Sequence, residues 1–356
     1  MTLDNISLLR LANQQIAETT FKTVKAIVSW MGAMQAQDYS MAKWAVGVRL
    51  PDSTDKIIET AVVNGDILRT HVMRPTWHFV SPEDIYWMLE LAAPNILSAM
   101  RSRHKQLELN EAVQKKSNGI IEKSLNRGKH LTRDELFVEL EKNKITTGNQ
   151  RGIHILMRAE LDGMVCSGAT RGKQQTYALL AERVPRKKTL RKEEALAELA
   201  MRYFNSHGPA TVQDFIWWSG LSVGDAKKGL ESVKSNFISE EVGLQTYWFA
   251  DNDIYSKKKE SLYLLPAYDE FVISYKDRSA ILTPESQAKA ISNNGIFWPV
   301  IVVNGKIAGM WKRTVENKSV KIETEFFNSL QKTIAVYIKK KAVQFGKFIG
   351  KEVEIK

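Results

Sequence analysis

From Asn149 to Leu180 the chain reads NQRGIHILMRAELDGMVCSGATRGKQQTYALL, and this stretch decides the fold. Asn149–Leu161 carries Ile155, Leu156 and Ala159 at helical spacing, and Asp162-Gly163 stops the helix. Met164–Ser167 and Thr176–Leu180 read as short strands. Between them Gly168–Gln175 is a polar turn with two cations, Arg171 and Lys173. Upstream, Thr132 with Glu135 three residues on is a capping box for a helix over Arg133–Lys142. A first helix is expected to begin at Ser117 or Asn118. Three helices followed by two strands around a polar loop is the layout of a winged helix.

The same layout recurs on both sides at low sequence identity, so the repeat is one of architecture. The N-terminal copy has helices over Ser7–Ile16, Thr23–Met34, Met41–Val48 and Asp55–Val63, the last capped by Thr54 and ended by Asn64-Gly65. Strands follow at Ile67–Met73 and Trp77–Val80 around Arg74-Pro75. A helix over Glu83–Leu91 then leads to the basic stretch Arg101, Arg103, His104 and Lys105. The third copy has helices over Lys192–Ser206, Val212–Ser219 and Val223–Lys234, and strands at Phe237–Ser239 and Gln245–Phe249. Val184–Lys188 reads as the linker before it. The remainder is β-rich, with strands at Leu262–Leu265, Ile296–Val303, Lys306–Trp311 and Val320–Glu323 and a helix over Phe326–Phe345. Asn304-Gly305 between alternating strands is the strongest hairpin signal in the chain. The expectation is an α+β protein of three tandem winged-helix units, 1–110, 111–188 and 189–255, followed by a β-rich domain, 256–356.

Charge separates these units. Residues 1–100 hold 8 Lys/Arg and 10 Asp/Glu, residues 101–192 hold 21 and 10, and residues 193–356 hold 22 and 20. The net charge of +11 therefore sits in the second quarter of the chain. A basic region so concentrated is the footprint of a polyanion, with nucleic acid ahead of lipid because no amphipathic anchor accompanies it; a merely solvated basic face is the alternative. No apolar run of about 18 residues occurs, so no membrane span is expected. Met1–Arg10 has no signal-peptide pattern, and Cys166, the only cysteine, can form no internal disulfide. A cytoplasmic protein follows, with Cys166 a small buried hydrophobe.

After the apolar run Val24–Met34 comes Gln35-Ala36-Gln37-Asp38. In an extended segment residues i and i+2 point to one side, so the two amides would face one space. On a helix they would lie about 200° apart. This tripeptide resembles the glutamine–apolar–glutamine motif of the AlkZ-like DNA glycosylases, the YcaQ/AlkZ superfamily. The resemblance extends to Arg69–Val80, to Gly163–Gly168 with Glu182–Pro185, to Leu264–Glu270 with Lys276-Asp277-Arg278, and to Asn304–Arg313. It implies winged helices and a β-rich domain around a DNA-binding channel, and release of bulky N7-alkylguanine adducts, interstrand crosslinks included. One subgroup has aspartate at the second position, so Gln37 places this chain with the glutamine–glutamine subgroup.

By that resemblance Gln35 and Gln37 would be catalytic, holding a water at the glycosidic bond; capping of backbone groups after the helix is the alternative. Asp38 is an alternative source of electrostatic stabilisation, or a helix cap. Candidate DNA contacts are Arg74 at the first wing, Arg151, His154 and Arg158 on one face of the third helix of the basic unit, Arg171 and Lys173 on its wing, and Lys306, Lys312 and Arg313 at the hairpin. Trp311 would meet the minor groove or pack in the core. Lys257–Lys259 and Lys339–Lys341 read as solvated charge with an auxiliary phosphate role. His71 and His78 lack partners at metal-ligand spacing, so no metal and no cofactor are expected. The resulting expectation is a monofunctional glycosylase, monomeric and nucleoid-associated, whose partner is double-stranded DNA carrying alkylated guanine. The runner-up is a non-catalytic winged-helix DNA-binding or regulatory protein.

Overall fold

Gly32 ends the second helix with φ 75°, and this backbone turn is what releases the glutamine segment from it. The computed structural model describes residues 1–251, 261–328 and 334–356, a mixed α+β chain. Its first part contains α1 (Leu3–Asn13), α2 (Val24–Met31), β1 (Ala33–Gln35), α3 (Tyr39–Arg49), α4 (Asp55–Asn64), β2 (Leu68–His71), β3 (Trp77–Val80) and α5 (Ile85–Gln106). The expected helix to Met34 thus stops three residues early, and β1 pairs antiparallel with β3 in the order β1-β3-β2. The helix expected to end at Leu91 continues through Pro94, which lies on its exposed side.

The basic part contains α6 (Glu111–Leu125), β4 (Leu131–Thr132), α7 (Arg133–Lys142), α8 (Arg151–Leu161), β5 (Val165–Ser167), β6 (Thr176–Leu179) and α9 (Leu180–Arg183). Asn110 caps α6, accepting from Val113 N–H at 2.9 Å, so this helix starts six residues before the expected Ser117. The capping box of Thr132 and Glu135 is present as expected. The sheet order is β4-β6-β5. Leu107, Ile121, Leu125, Leu136, Leu140, Ile155, Leu156 and Val165 give this part a core of its own.

The third part contains α10 (Lys192–His207), α11 (Val212–Ser219), α12 (Val223–Val233) and the hairpin β7 (Ile238–Val242) with β8 (Gln245–Phe249). Its aromatic core, including Tyr203, Phe204, Phe215 and Trp218, is continuous with Leu68, Val72 and Trp87 of the first part.

The last part contains β9 (Leu262–Leu265), α13 (Glu270–Ile273), α14 (Pro284–Ala290), β10 (Val300–Val303), β11 (Lys306–Val315), β12 (Ser319–Phe326), α15 (Ile334–Ile349) and β13 (Glu352–Ile355). Asn304 and Gly305, at φ 49° and 81°, make the expected β10–β11 hairpin. The sheet runs β13-β12-β11-β10-β9, and β13 adds a parallel edge strand that periodicity had not flagged. This sheet shares one core with α2 and α3, where Ile27, Trp44 and Val46 join Val300, Ile301, Trp311 and Phe345. The α3 helix approaches α15 so closely that a Cβ on Gly47 would lie 2.6 Å from the Phe348 ring. Trp311 is fully buried and donates to Leu265 O at 2.7 Å, so it packs the core and does not reach a groove. Lys257–Lys259 lie outside the described residues. Among the described residues no helix is long and apolar enough to cross a membrane, and no group of three metal-ligating side chains occurs.

Candidate active site

The segment Gln35-Ala36-Gln37 is fixed through its backbone. Gln35 N–H donates to Glu270 Oε1 at 2.6 Å, Ala36 N–H to Trp77 O at 2.7 Å, and Ala36 O accepts from Arg69 Nε at 2.9 Å. Ala36 between the two glutamines is fully buried, as an apolar middle position requires. Gln35 is only 6 % exposed, and its amide oxygen accepts from Arg74 Nη2 at 3.2 Å. Gln37 is exposed and its side chain makes no hydrogen bond among the described residues. Asp38 caps α3, with Oδ1 accepting from Met41 N–H at 3.1 Å and from the Ser40 hydroxyl at 2.9 Å. Its other oxygen lies 3.9 Å from Arg313 Nη2.

The clamp is supplied by distant residues. Glu270 opens α13 and is 1 % exposed. Its Oε2 accepts from Trp218 Nε1 at 3.2 Å and from the Ser274 hydroxyl, with His207 Nε2 at 3.7 Å. Burial alone would raise this carboxyl, but His207, Ser274 and the Gln35 N–H outweigh it and hold it down at about 2. Burial pushes His207 below the usual imidazole range, while Glu270 acts in the opposite direction. Next door, Asp269 receives both Nη groups of Arg49 at 2.9 Å, with both side chains fully buried. Arg49 also donates to Gln14 at 2.8 Å, and Gln14 to the Tyr275 hydroxyl at 2.9 Å. Buried ions of this kind persist only when paired and hydrogen-bonded. Leu264–Glu270 stood out in the sequence, but no pattern there pointed to partners more than 200 residues upstream.

Arg69 was also not singled out, because nothing local distinguishes it from a surface cation. Its guanidinium lies 4.4 Å over the Trp77 ring, and burial lowers its pKa. Arg74 sits between β2 and β3 with φ 52°, a sparsely populated conformation for a residue with a side chain. Burial pushes its pKa down and Glu270 partly restores it. Arg74 therefore holds Gln35 through one nitrogen of its guanidinium. His78, opposite Gln35 in the β1–β3 register, is fully buried and pushed down to about 3, hence neutral. His71 bonds Glu160 and packs on Trp77 at 4.5 Å, a packing role. Cys166 is buried, and its thiol is pushed up to about 12.

The face of α8 expected to enter a groove is tied to the chain itself. Arg151 donates to Thr146 O at 3.2 Å and to Leu107 O. His154 packs edge-on against His104 at 5.4 Å. Arg158 pairs with Glu111 at 3.0 Å and Asp162 at 2.7 Å. Helical periodicity cannot separate a polar face turned to solvent from one turned to polar neighbours on α5 and α6. Arg171 likewise folds back onto Glu135 and His130 O, each at 2.7 Å, whereas Lys173 at the same loop is exposed and without a partner among the described residues. Lys306 binds Ala280 O at 2.7 Å and Asp4 at 2.9 Å. Lys312 is exposed and unpartnered among the described residues, and Arg313 donates to Ser40 Oγ at 2.7 Å beside the glutamine segment.

A family model described as DNA glycosylase AlkZ-like matches residues 28–348. The protein is thus an enzyme of the DNA glycosylase class. It belongs to the AlkZ-like DNA glycosylase family. An interstrand DNA cross-link repair glycosylase of Streptomyces sahachiroi is 23% identical over 335 residues, which cover 85% of each chain. The solved structure of Streptomyces sahachiroi DNA glycosylase AlkZ matches with a TM-score of 0.83 at 19% identity and covers 100% of both chains, so the two share a fold.

Proposed function

We propose that this glycosylase hydrolyses the N-glycosidic bond of N7-alkylguanine in double-stranded DNA, using a water positioned at a site that Gln35 and Gln37 build together. The observation that carries this reading is the four-way fixed segment that leaves the Gln37 amide free at the surface, in the bend two residues beyond Gln35. N7-alkylguanine is already cationic and leaves without strong acid catalysis. Orientation of a water and stabilisation of an oxocarbenium-like sugar are what remain to be supplied, and neutral amides suit that task. Neutral bases would be poor substrates. Interstrand crosslinks through guanine N7 fall in the same chemical class, and the name of the Streptomyces sahachiroi relative supports their inclusion.

On this reading residues 1–110, 111–188 and 189–255 are winged helices, and 256–356 closes a DNA channel against them. Lys173 and Lys312, exposed and unpaired among the described residues, contact phosphates, while Asp38 serves as the cap of α3. The protein acts as a monomer on nucleoid DNA. Incubation with duplexes carrying 7-methylguanine or a nitrogen-mustard crosslink, followed by abasic-site detection, tests the proposal. Abasic sites at the adduct are expected. Tight binding without them on any alkylated duplex would instead make the chain a non-catalytic DNA-binding member of its family.

A further inference from the structure

We infer that the two glutamines do different jobs: Gln35 donates a hydrogen bond to an oxygen of the damaged nucleotide, and Gln37 alone accepts from the attacking water. The inference rests on the glycosylase reading above and assigns Arg74 as the positioning residue that separates the roles.

A guanidinium has donors only. The side of the Gln35 amide facing Arg74 Nη2 at 3.2 Å must therefore be its oxygen, since the flipped amide would set N–H against N–H. The backbone that carries this side chain is fixed, because its strand pairs with His78 and its own N–H is bound by Glu270. Arg74 is equally constrained, by its φ of 52° and by burial of its Nε. The Gln35 NH₂ makes no hydrogen bond among the described residues, and it is not among the sealed unpartnered atoms of the core. The little exposure Gln35 retains therefore includes that NH₂, which is a donor awaiting a sugar or phosphate oxygen. Gln37 has no such lock, and its carbonyl is free to accept. In the reaction the water oxygen bonds to C1′ and the C1′–N9 bond breaks. The bonding pair neutralises the cationic base, and the water's surplus proton passes to bulk solvent, with Gln37 only orienting it.

Carboxylate substitutions separate the two roles. Single-turnover release of 7-methylguanine is measured for the wild type, Q35A, Q37A, Q35E, Q37E and R74M across pH, with duplex affinity and thermal melting in parallel. Both alanine variants should lose about 100-fold or more in rate. Q37E should retain activity that rises with pH through the carboxylate range, because a carboxylate still accepts from water. Q35E should stay as slow as Q35A at every pH, because its carboxylate pairs with Arg74 and has no N–H to give. R74M should lower the rate about tenfold at unchanged affinity, by letting the Gln35 amide turn. Rescue of Q35E instead of Q37E, or equal rescue of both, overturns the division of labour. Undiminished release by both alanine variants would instead sink the glutamine assignment itself.

Discussion

The first hundred residues and the basic unit treat their cations in opposite ways. The basic unit carries the whole net charge of the chain, yet Arg158 and Arg171 are tied to partners in that same unit at its surface, while Lys173 has no partner among the described residues. The first part is slightly acidic, yet Arg49, Arg69 and Arg74 are withdrawn from solvent and each fixes a backbone or side chain of the site or its support. On the proposed reading, net charge marks the side of the molecule that meets the polyanion. The proposed catalytic segment is positioned elsewhere, by buried charges that cancel in any count.

The contrast breaks first at its most buried pair. Arg49→Ala leaves Asp269 charged and unpaired inside the shared core, and should cost about 3–5 kcal/mol in chemical denaturation. Arg158→Ala removes a surface pair and should cost about 1 kcal/mol or less. Equal losses would erase the distinction between the two regions.

Glu270 sharpens the comparison through pH. Its folded pKa of about 2 lies below its ordinary value of 4.5, so its stabilising contribution is complete above about pH 4.5 and fades as pH falls toward 2. Glu270→Gln should flatten the acid limb of the stability profile in that window. It should also slow base release about tenfold by loosening the hold on Gln35, with duplex affinity unchanged. An unaltered acid limb would show that the carboxylate is not held as described. The smallest effect belongs to the free surface cations. Lys173→Glu and Lys312→Glu should each weaken duplex binding and reduce the slope of log K against log salt by about 0.9 per lost phosphate contact. A slope unchanged by either substitution would remove that lysine from the interface.

Local chemistry was legible in the sequence. Thr132 with Glu135, Thr54 and Asn304-Gly305 each specify a cap or a turn through atoms a few residues apart, and all are where spacing put them. The edges β4 and β13 were not legible, because two to four residues have no period of their own and exist only through their neighbours. The strand β1 was absorbed into the preceding apolar run because Ala33 and Met34 suit a helix, and only the backbone of Gly32 breaks it. Gln35 and Gln37 were found through their resemblance, but their supports were not. Glu270 meets Gln35 across 235 residues of chain, and no periodicity encodes that contact.

The central claim is that a segment fixed through its backbone delivers the Gln37 amide to the glycosidic bond. The single-turnover rate at which Gln37→Ala releases 7-methylguanine from duplex DNA, with duplex affinity measured alongside, tests it most directly. The account predicts a loss of about 100-fold or more in rate with affinity unchanged. Release at the wild-type rate would contradict it.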